Sequence, residues 1–178
     1  MTIKILLAGD GGQGIQTIAK IISQACFEQG FYVSEIPNFG LEQRGGVSLE
    51  YLQISNQPIV YPKFTQPNIL LIMSDQARKR VSLSSRGANP PAGGATTKQS
   101  RQGDIIVIDI NYYIKILEQN NISKQSYNIF FLGMFSNILA EKTICKREKI
   151  FKLLKDKLNT KQNWAENEKA FNLGWHNP

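Results

Sequence analysis

Ile3 to Ala8 is an apolar run interrupted only by Lys4, too short for a helix, and it predicts a buried strand. Gly9-Asp10-Gly11-Gly12-Gln13-Gly14 follows as a tight turn. From Ile15 onward Ile18, Ala19, Ile22, Ala25 and Cys26 fall three or four positions apart, so a helix is expected to about Gln29, with Gly30 as its left-handed stop. Phe31 to Ile36 reads as a second strand, and a loop after Pro37 passes through Arg44-Gly45-Gly46. Val47, Leu49 and Tyr51 then alternate with Ser48 and Glu50 in the period of a half-exposed strand. Ile69 to Met73 and Ile105 to Asp109 are further apolar runs of interior-strand type. The last third is helical: Asn128 to Leu139 is apolar nearly all round, Arg147 to Leu158 is amphipathic, and Glu166 to Leu173 is expected to end at Gly174. Alternating strands and helices predict a single α/β domain over residues 1–178, a three-layer Rossmann-like, mostly parallel sheet with a C-terminal helical extension.

Composition agrees with that picture and removes other classes. A chain of 178 residues with 42% hydrophobic and 20% charged residues buries roughly 70% of its unfolded surface as one globular domain. Disordered, collagen-like and repeat architectures do not fit. No apolar run approaches the roughly 18 residues of a membrane span, and the apolar start is too short and too soon glycine-rich for a signal peptide. A cytoplasmic location, with no membrane partner, is the expectation.

The formal charge of +7 is concentrated in Arg78, Lys79, Arg80, Arg86, Lys98 and Arg101, between Gln76 and Gly103, where there is no Asp or Glu. The remainder is close to neutral. The same stretch carries Ser-Ser-Arg-Gly-Ala-Asn-Pro-Pro-Ala-Gly-Gly-Ala-Thr-Thr and no aromatic residue, so Gln76 to Gly103 reads as a flexible, solvated loop, atypical over residues 81–103, and no nucleic-acid partner is expected. The two cysteines, Cys26 and Cys145, support neither a disulfide framework nor a four-thiolate cluster, and no metal-ligand set is expected on this chain. Cys26 sits on the apolar helix face as a packed thiol, and Cys145 has no Cys or His nearby in sequence.

The glycine turn is the first feature with chemical content. Gly9, Gly11 and Gly14 meet the dinucleotide-binding spacing, and Glu35 lies 21 positions beyond Gly14 at the end of the next strand. Glycines admit positive φ and close backbone approach, and the following helix presents free N–H groups to an anion. One reading is therefore a stand-alone NAD- or FAD-binding protein with Glu35 on the ribose hydroxyls. The adjacent Gly12 and the turn's Gln13 depart from the usual dinucleotide pattern. Gln13 suits either donation to a ligand or satisfaction of loop carbonyls. Arg44 beside Gly45 and Gly46 is suited to clamping a phosphate or carboxylate, or to bracing the loop through Glu42 or Glu35. Phe130, Phe131, Phe135 and Ile138 belong to a core or subunit interface, Trp164 and Trp175 are candidate contact aromatics, and His176 near the end reads as solvated.

Ala8-Gly9-Asp10-Gly11-Gly12-Gln13-Gly14-Ile15 resembles the opening of the gamma subunit of 2-oxoacid:ferredoxin oxidoreductases, the equivalent of one domain of single-chain pyruvate:ferredoxin oxidoreductase. Pro37 to Ser48, with its Phe39-Gly40, Glu42 and Arg44-Gly45-Gly46, resembles that family's second signature, and Ile54 to Ile59 is similar to the next block. Ile69 to Ser74, Asn128 to Leu139 with Leu132-Gly133, and Asn167 to Gly174 also look like family elements. Between about Val81 and Gly103 the chain departs from the pattern.

The resemblance implies a subunit of an oxidoreductase that converts a 2-oxoacid, coenzyme A and oxidised ferredoxin to acyl-CoA, CO2 and reduced ferredoxin. It implies thiamine diphosphate and [4Fe-4S] clusters on thiamine-diphosphate and ferredoxin-like partner subunits, contact with ferredoxin and coenzyme A through the complex, and no catalytic residue, bound cofactor or activity in this chain alone. Gly9, Gly11, Gly12, Gln13, Gly14, Glu42, Arg44, Gly45 and Gly46 are the ligand-binding or interface candidates. Ligands of open α/β sheets gather beyond the carboxyl ends of the strands. Parallel neighbouring strands would therefore bring Gly11, Gly12, Gln13, Arg44 and Gly45 together at a partner-facing, anion-friendly edge, with the 81–103 loop away from it.

Overall fold

The computed structural model describes residues 1–39, 46–84, 99–102, 105–160 and 163–178. A six-stranded sheet has the order β2-β3-β1-β4-β6-β5, with β1 Thr2–Asp10, β2 Tyr32–Phe39, β3 Val47–Ser55, β4 Ile69–Ile72, β5 Gln99–Gln102 and β6 Ile105–Asp109. The helices are α1 Ile15–Phe27, α2 Asp75–Ser84, α3 Ile114–Gln119, α4 Tyr127–Glu141, α5 Arg147–Leu158 and α6 Trp164–Trp175. The α/β class holds. The sheet, however, is mixed rather than mostly parallel: β1, β4 and β6 run parallel, whereas β3 is antiparallel to β1 and β2, and β5 is antiparallel to β6. The cause is local, since β2 and β3 form one hairpin that folds back beside β1, so β1 and β2 are parallel but not neighbours.

Period-2 alternation in β1 sends Ile3, Ile5 and Leu7 to the larger core, with α1, and Leu6 and Ala8 to a smaller core on the opposite face. Ala77 and Val81 of α2, one turn apart, fill that smaller core with Phe64 and Ile72. The loop expected from Gln76 is thus corrected at both ends: Gln76 to Ser84 belong to α2, and Gln99–Gln102 pair with β6. Of the remainder of that stretch, 85–98 and 103–104 lie outside the described residues. Pro37 lies inside β2, which an edge strand tolerates.

The half-exposed reading of β3 is also corrected. Ser48 is 7% and Glu50 0% exposed, because β3 lies between β1 and β2 and is covered on both faces. At the end of α1, Gly30 adopts φ 89° and the Phe31 N–H donates to the Cys26 carbonyl at 3.2 Å, the left-handed stop that its sequence predicts. α4 packs against α1, α5 and α6 as a further layer, and Phe130, Phe131 and Phe135 are core residues. Gly174 does not end α6 but lies within it. A Cβ there would overlap the Phe130 carbonyl, and one at Gly133 of α4 would overlap the Phe171 carbonyl, so reciprocal glycines set the α4–α6 approach.

Candidate functional site

β1 and β4 are adjacent and parallel, but the chain leaves β1 through α1 on one face and β4 through α2 on the other. Such a reversal opens a crevice at the carboxyl ends of the two strands, where open α/β sheets hold their ligands. The glycine turn occupies this position. Gly12 and Gly14 take φ of 91° and 77°, and Gly14 begins α1 without a side-chain cap. The Asp10 N–H donates to Gln13 Oε1 at 2.7 Å, and Gln13 Nε2 donates to the Met73 carbonyl at 3.0 Å. Gln13 therefore ties the end of β1 to the residue following β4, with each end of its amide bonded to the loop's own backbone. A Cβ on Gly9 would stand 2.7 Å from Gln13 Oε1, so Gly9 makes room for that side chain.

The hairpin loop returns to the same edge. The Gly11 N–H donates to the Gly46 carbonyl at 3.0 Å, which joins the first glycine motif to the second although β3 separates their strands. Glu42, Arg44 and Gly45 lie outside the described residues. Glu35 is not at this edge: it pairs with Leu52, which pairs with Ile5. It therefore sits in the body of β2, two strand spacings or roughly 10 Å from β1. A dinucleotide's ribose beside the turn would be out of its reach, and the stand-alone NAD or FAD reading has no support.

Three polar side chains that sequence reasoning passed over complete the edge. Ser74 Oγ donates to Asp10 Oδ1 at 2.6 Å and accepts from the Ala77 N–H at 3.0 Å, capping α2. Asp109, 1% exposed, accepts from the Asn111 N–H at 3.0 Å and forms an ion pair with Arg78, which also lies 3.7 Å from Asp75. The signal was available: Asp10 and Asp109 end apolar strands, and Ser74 follows Met73 at the end of another. Asp10 and Asp75 stand at this edge, and Arg78 beside them is paired with Asp109 and lies close to Asp75.

Glu50 is the other site that the sequence did not show. Both its carboxylate oxygens lack a hydrogen-bond partner among the described residues, as does the hydroxyl of Ser48. Burial and then the nearby Glu35 push its carboxyl up to about 7, against the opposing pull of Lys20. Cys26 and Cys145, 119 positions apart, come together beside Gln29, whose Nε2 donates to Cys145 Sγ at 2.7 Å. The hydrogen bond to Cys145 and burial hold Cys26 as a thiol. Two thiols in this setting do not fit a [4Fe-4S] cluster, which takes four.

Comparison with known proteins extends over the whole chain. The family model described as pyruvate ferredoxin/flavodoxin oxidoreductase matches residues 4–176. The pyruvate/ketoisovalerate oxidoreductases common subunit gamma of Pyrococcus furiosus is 32% identical over 82 residues, 46% of this chain and 44% of that protein, so the match spans less than half the relative's length. The gamma subunit of a keto/oxoacid ferredoxin oxidoreductase from Geobacter sulfurreducens has the same fold, with TM-score 0.67 and 20% identity over 98% of this chain and 96% of that one. The 2-oxoglutarate:ferredoxin oxidoreductase of Magnetococcus marinus, solved with 2-oxoglutarate, coenzyme A and succinyl-CoA bound, contains the fold as 30% of a longer chain, with TM-score 0.72 and 20% identity over 98% of this one.

Proposed function

The chain belongs to the pyruvate ferredoxin/flavodoxin oxidoreductase family, and from that premise we propose that it is the gamma-type subunit of a multi-subunit, cytoplasmic 2-oxoacid:ferredoxin oxidoreductase. The complex oxidatively decarboxylates a 2-oxoacid, passes the acyl group to coenzyme A and reduces ferredoxin. Thiamine diphosphate and iron–sulfur clusters supply the carbon and electron chemistry when bound, and they belong to thiamine-diphosphate and ferredoxin-like partner subunits. The carrying observation is the family match across residues 4–176 in a chain whose two cysteines cannot supply a cluster's four thiolates.

This chain's part is positional. Gln13 locks the turn between β1 and β4, Gly11 and Gly46 join the turn to the hairpin, and Gly12 leaves the backbone open. That edge is the partner-facing surface of the proposed complex. Arg44, which follows β2 in sequence, would be the cation for a coenzyme A phosphate or substrate carboxylate, and Glu42 and Gly45 share its segment of chain. The membrane has no part in this reading; among the described residues no helix is long and apolar enough to cross one.

Oxoacid-dependent viologen reduction tests the proposal. Activity is expected only when the chain is combined with its partner subunits, and turnover by the purified chain alone overturns it. In the reconstituted complex Arg44→Ala is expected to lower kcat/KM by about tenfold or more, the scale of a lost charge-assisted contact. An unchanged value removes Arg44 from the site.

A further inference from the structure

We propose that Cys26 and Cys145 form an oxidisable dithiol, a modification site whose substrate is a hydroperoxide and whose product is a disulfide between the two. The pair lies at the opposite end of α1 from the glycine turn, where that helix meets the turn between α4 and α5. Both residues are free and buried. Gln29 holds them together: its Nε2 donates to the Ala25 carbonyl at 3.1 Å and to Cys145 Sγ at 2.7 Å, and its Oε1 accepts from the Lys146 N–H at 3.2 Å. One amide thus bridges the residue before Cys26 to Cys145 and to the residue after it. Thiols that only fill a core need no such clamp.

The two sulfurs are unlike. Cys145 receives hydrogen bonds from the Cys26 thiol and from Gln29 and lies near the Lys149 ammonium, itself paired with Glu28, and these together lower its pKa against the effect of burial. Cys26, by donating to Cys145 and through burial, stays a thiol. Cys145 is therefore the attacking sulfur and Cys26 the resolving one. Cys145 Sγ attacks one peroxide oxygen, the O–O bond breaks, and the other oxygen leaves as hydroxide and takes the Cys145 proton to become water. Cys145 is left as the sulfenic acid. The Cys26 sulfur then attacks Cys145 Sγ, forming the S–S bond and expelling a second hydroxide, which takes the Cys26 proton. Two thiols are oxidised to one disulfide and one peroxide is reduced to two waters. Cys145 is 2% exposed but belongs to a surface turn in which Lys142, Thr143 and Lys146 are exposed. Thr143 is held there at φ 58°, strained for a β-branched residue, and opening of this one turn admits a molecule little larger than water.

Hydrogen peroxide added to the reduced, folded chain tests this, with a maleimide quench and peptide mapping by mass spectrometry without reductant. An intramolecular Cys26–Cys145 disulfide is expected, the chain lighter by two hydrogens. Its closure should be at least about tenfold faster in the folded chain than in urea, where the thiols are 119 positions apart on a flexible chain. Cys26→Ser is expected to leave a sulfenic acid on Cys145 that dimedone captures, and Cys145→Ser to leave Cys26 unmodified at the same exposure. Gln29→Met should slow closure by about tenfold, the scale of a hydrogen bond lost from a charged sulfur. Thiols that stay reduced in the folded chain, closure no faster than in urea, or disulfides only between chains overturn the site. Dimedone capture on Cys26 rather than Cys145 overturns the assigned roles, and a rate unaltered by Gln29→Met overturns the clamp. The decisive mapping uses the unmodified chain without partners, so its outcome depends neither on the folding of a variant nor on the reconstitution assay.

Discussion

Glycine serves two regions of this molecule differently. At the sheet edge, Gly12 and Gly14 are required by backbone conformation, with φ of 91° and 77°, and Gly12 has open space where a Cβ would stand. Between α4 and α6, Gly133 and Gly174 have no positive φ and are required by proximity, because a Cβ would enter the opposing carbonyls. The first pair shapes a surface; the second brings two backbones into contact inside the core. Substitution at the surface should therefore separate stability from function, whereas substitution between the helices should not.

The largest effect is expected at the helix pair. Gly174→Ala gains about 1 kcal/mol of helix propensity, but overpacking against a backbone carbonyl that has no rotamer to adopt costs about 3 kcal/mol. A net loss of about 2 kcal/mol is expected in urea unfolding, with a lower midpoint and an unchanged m-value. An unchanged midpoint would mean that the α4–α6 approach is not set by these glycines.

A smaller effect is expected at Glu50, on the sheet side of the comparison. With a folded-state pKa of about 7 against an ordinary value of 4.5, the folded chain binds more protons than the unfolded one between those values. The stability contributed by protonated Glu50 is thus fully present below about pH 4.5 and is lost as pH rises through 7. Glu50→Gln resembles the neutral acid, so it should change little at pH 5 and stabilise by about 1–2 kcal/mol at pH 8, where an unpaired buried carboxylate is relieved. Equal stabilisation at both pH values would show that burial of charge is not the cause.

The comparison also shows what the sequence could convey. β1, β4, β6 and α1 were legible because their signals are local: short apolar runs, a 3.6-residue stripe, and Gly30 as a stop. α4 and α5 were legible from their apolar positions, and the glycine turn from its spacing. Gly174 was not, since a glycine after a helical run reads as a terminator, and only the position of α4 makes it a contact. Glu50 alternated in step with a half-exposed strand, and only the return of the β2–β3 hairpin beside β1 covers it. α2 was hidden by Arg78, Lys79 and Arg80, whose charge masked the apolar step from Ala77 to Val81. In the candidate site, Gln13 was singled out by type while its two backbone partners, one of them Met73, depended on the pairing of β1 with β4.

An effect on stability of similar size is expected at Gly12, and it distinguishes most sharply between the two uses of glycine. Its φ of 91° lies in the left-handed region, and no atom lies within 4 Å of a Cβ placed there. Gly12→Ala therefore incurs backbone strain without a clash, a cost of about 1–2 kcal/mol, or a fall in Tm of roughly 2–8 °C for a domain of this size. Gly14→Ala carries the same strain and also meets the Asn128 amide, so it should be the less stable of the two. If the turn only completes the fold, Gly12→Ala assembled with partner subunits should retain full activity below its Tm. If the turn faces a partner or a ligand, the added methyl on this exposed backbone should weaken assembly or raise KM for coenzyme A by about tenfold, at temperatures where the isolated variant remains fully folded. Full activity with unchanged assembly would reduce the edge to a structural turn, with the same role in the fold that Gly133 and Gly174 have between their helices.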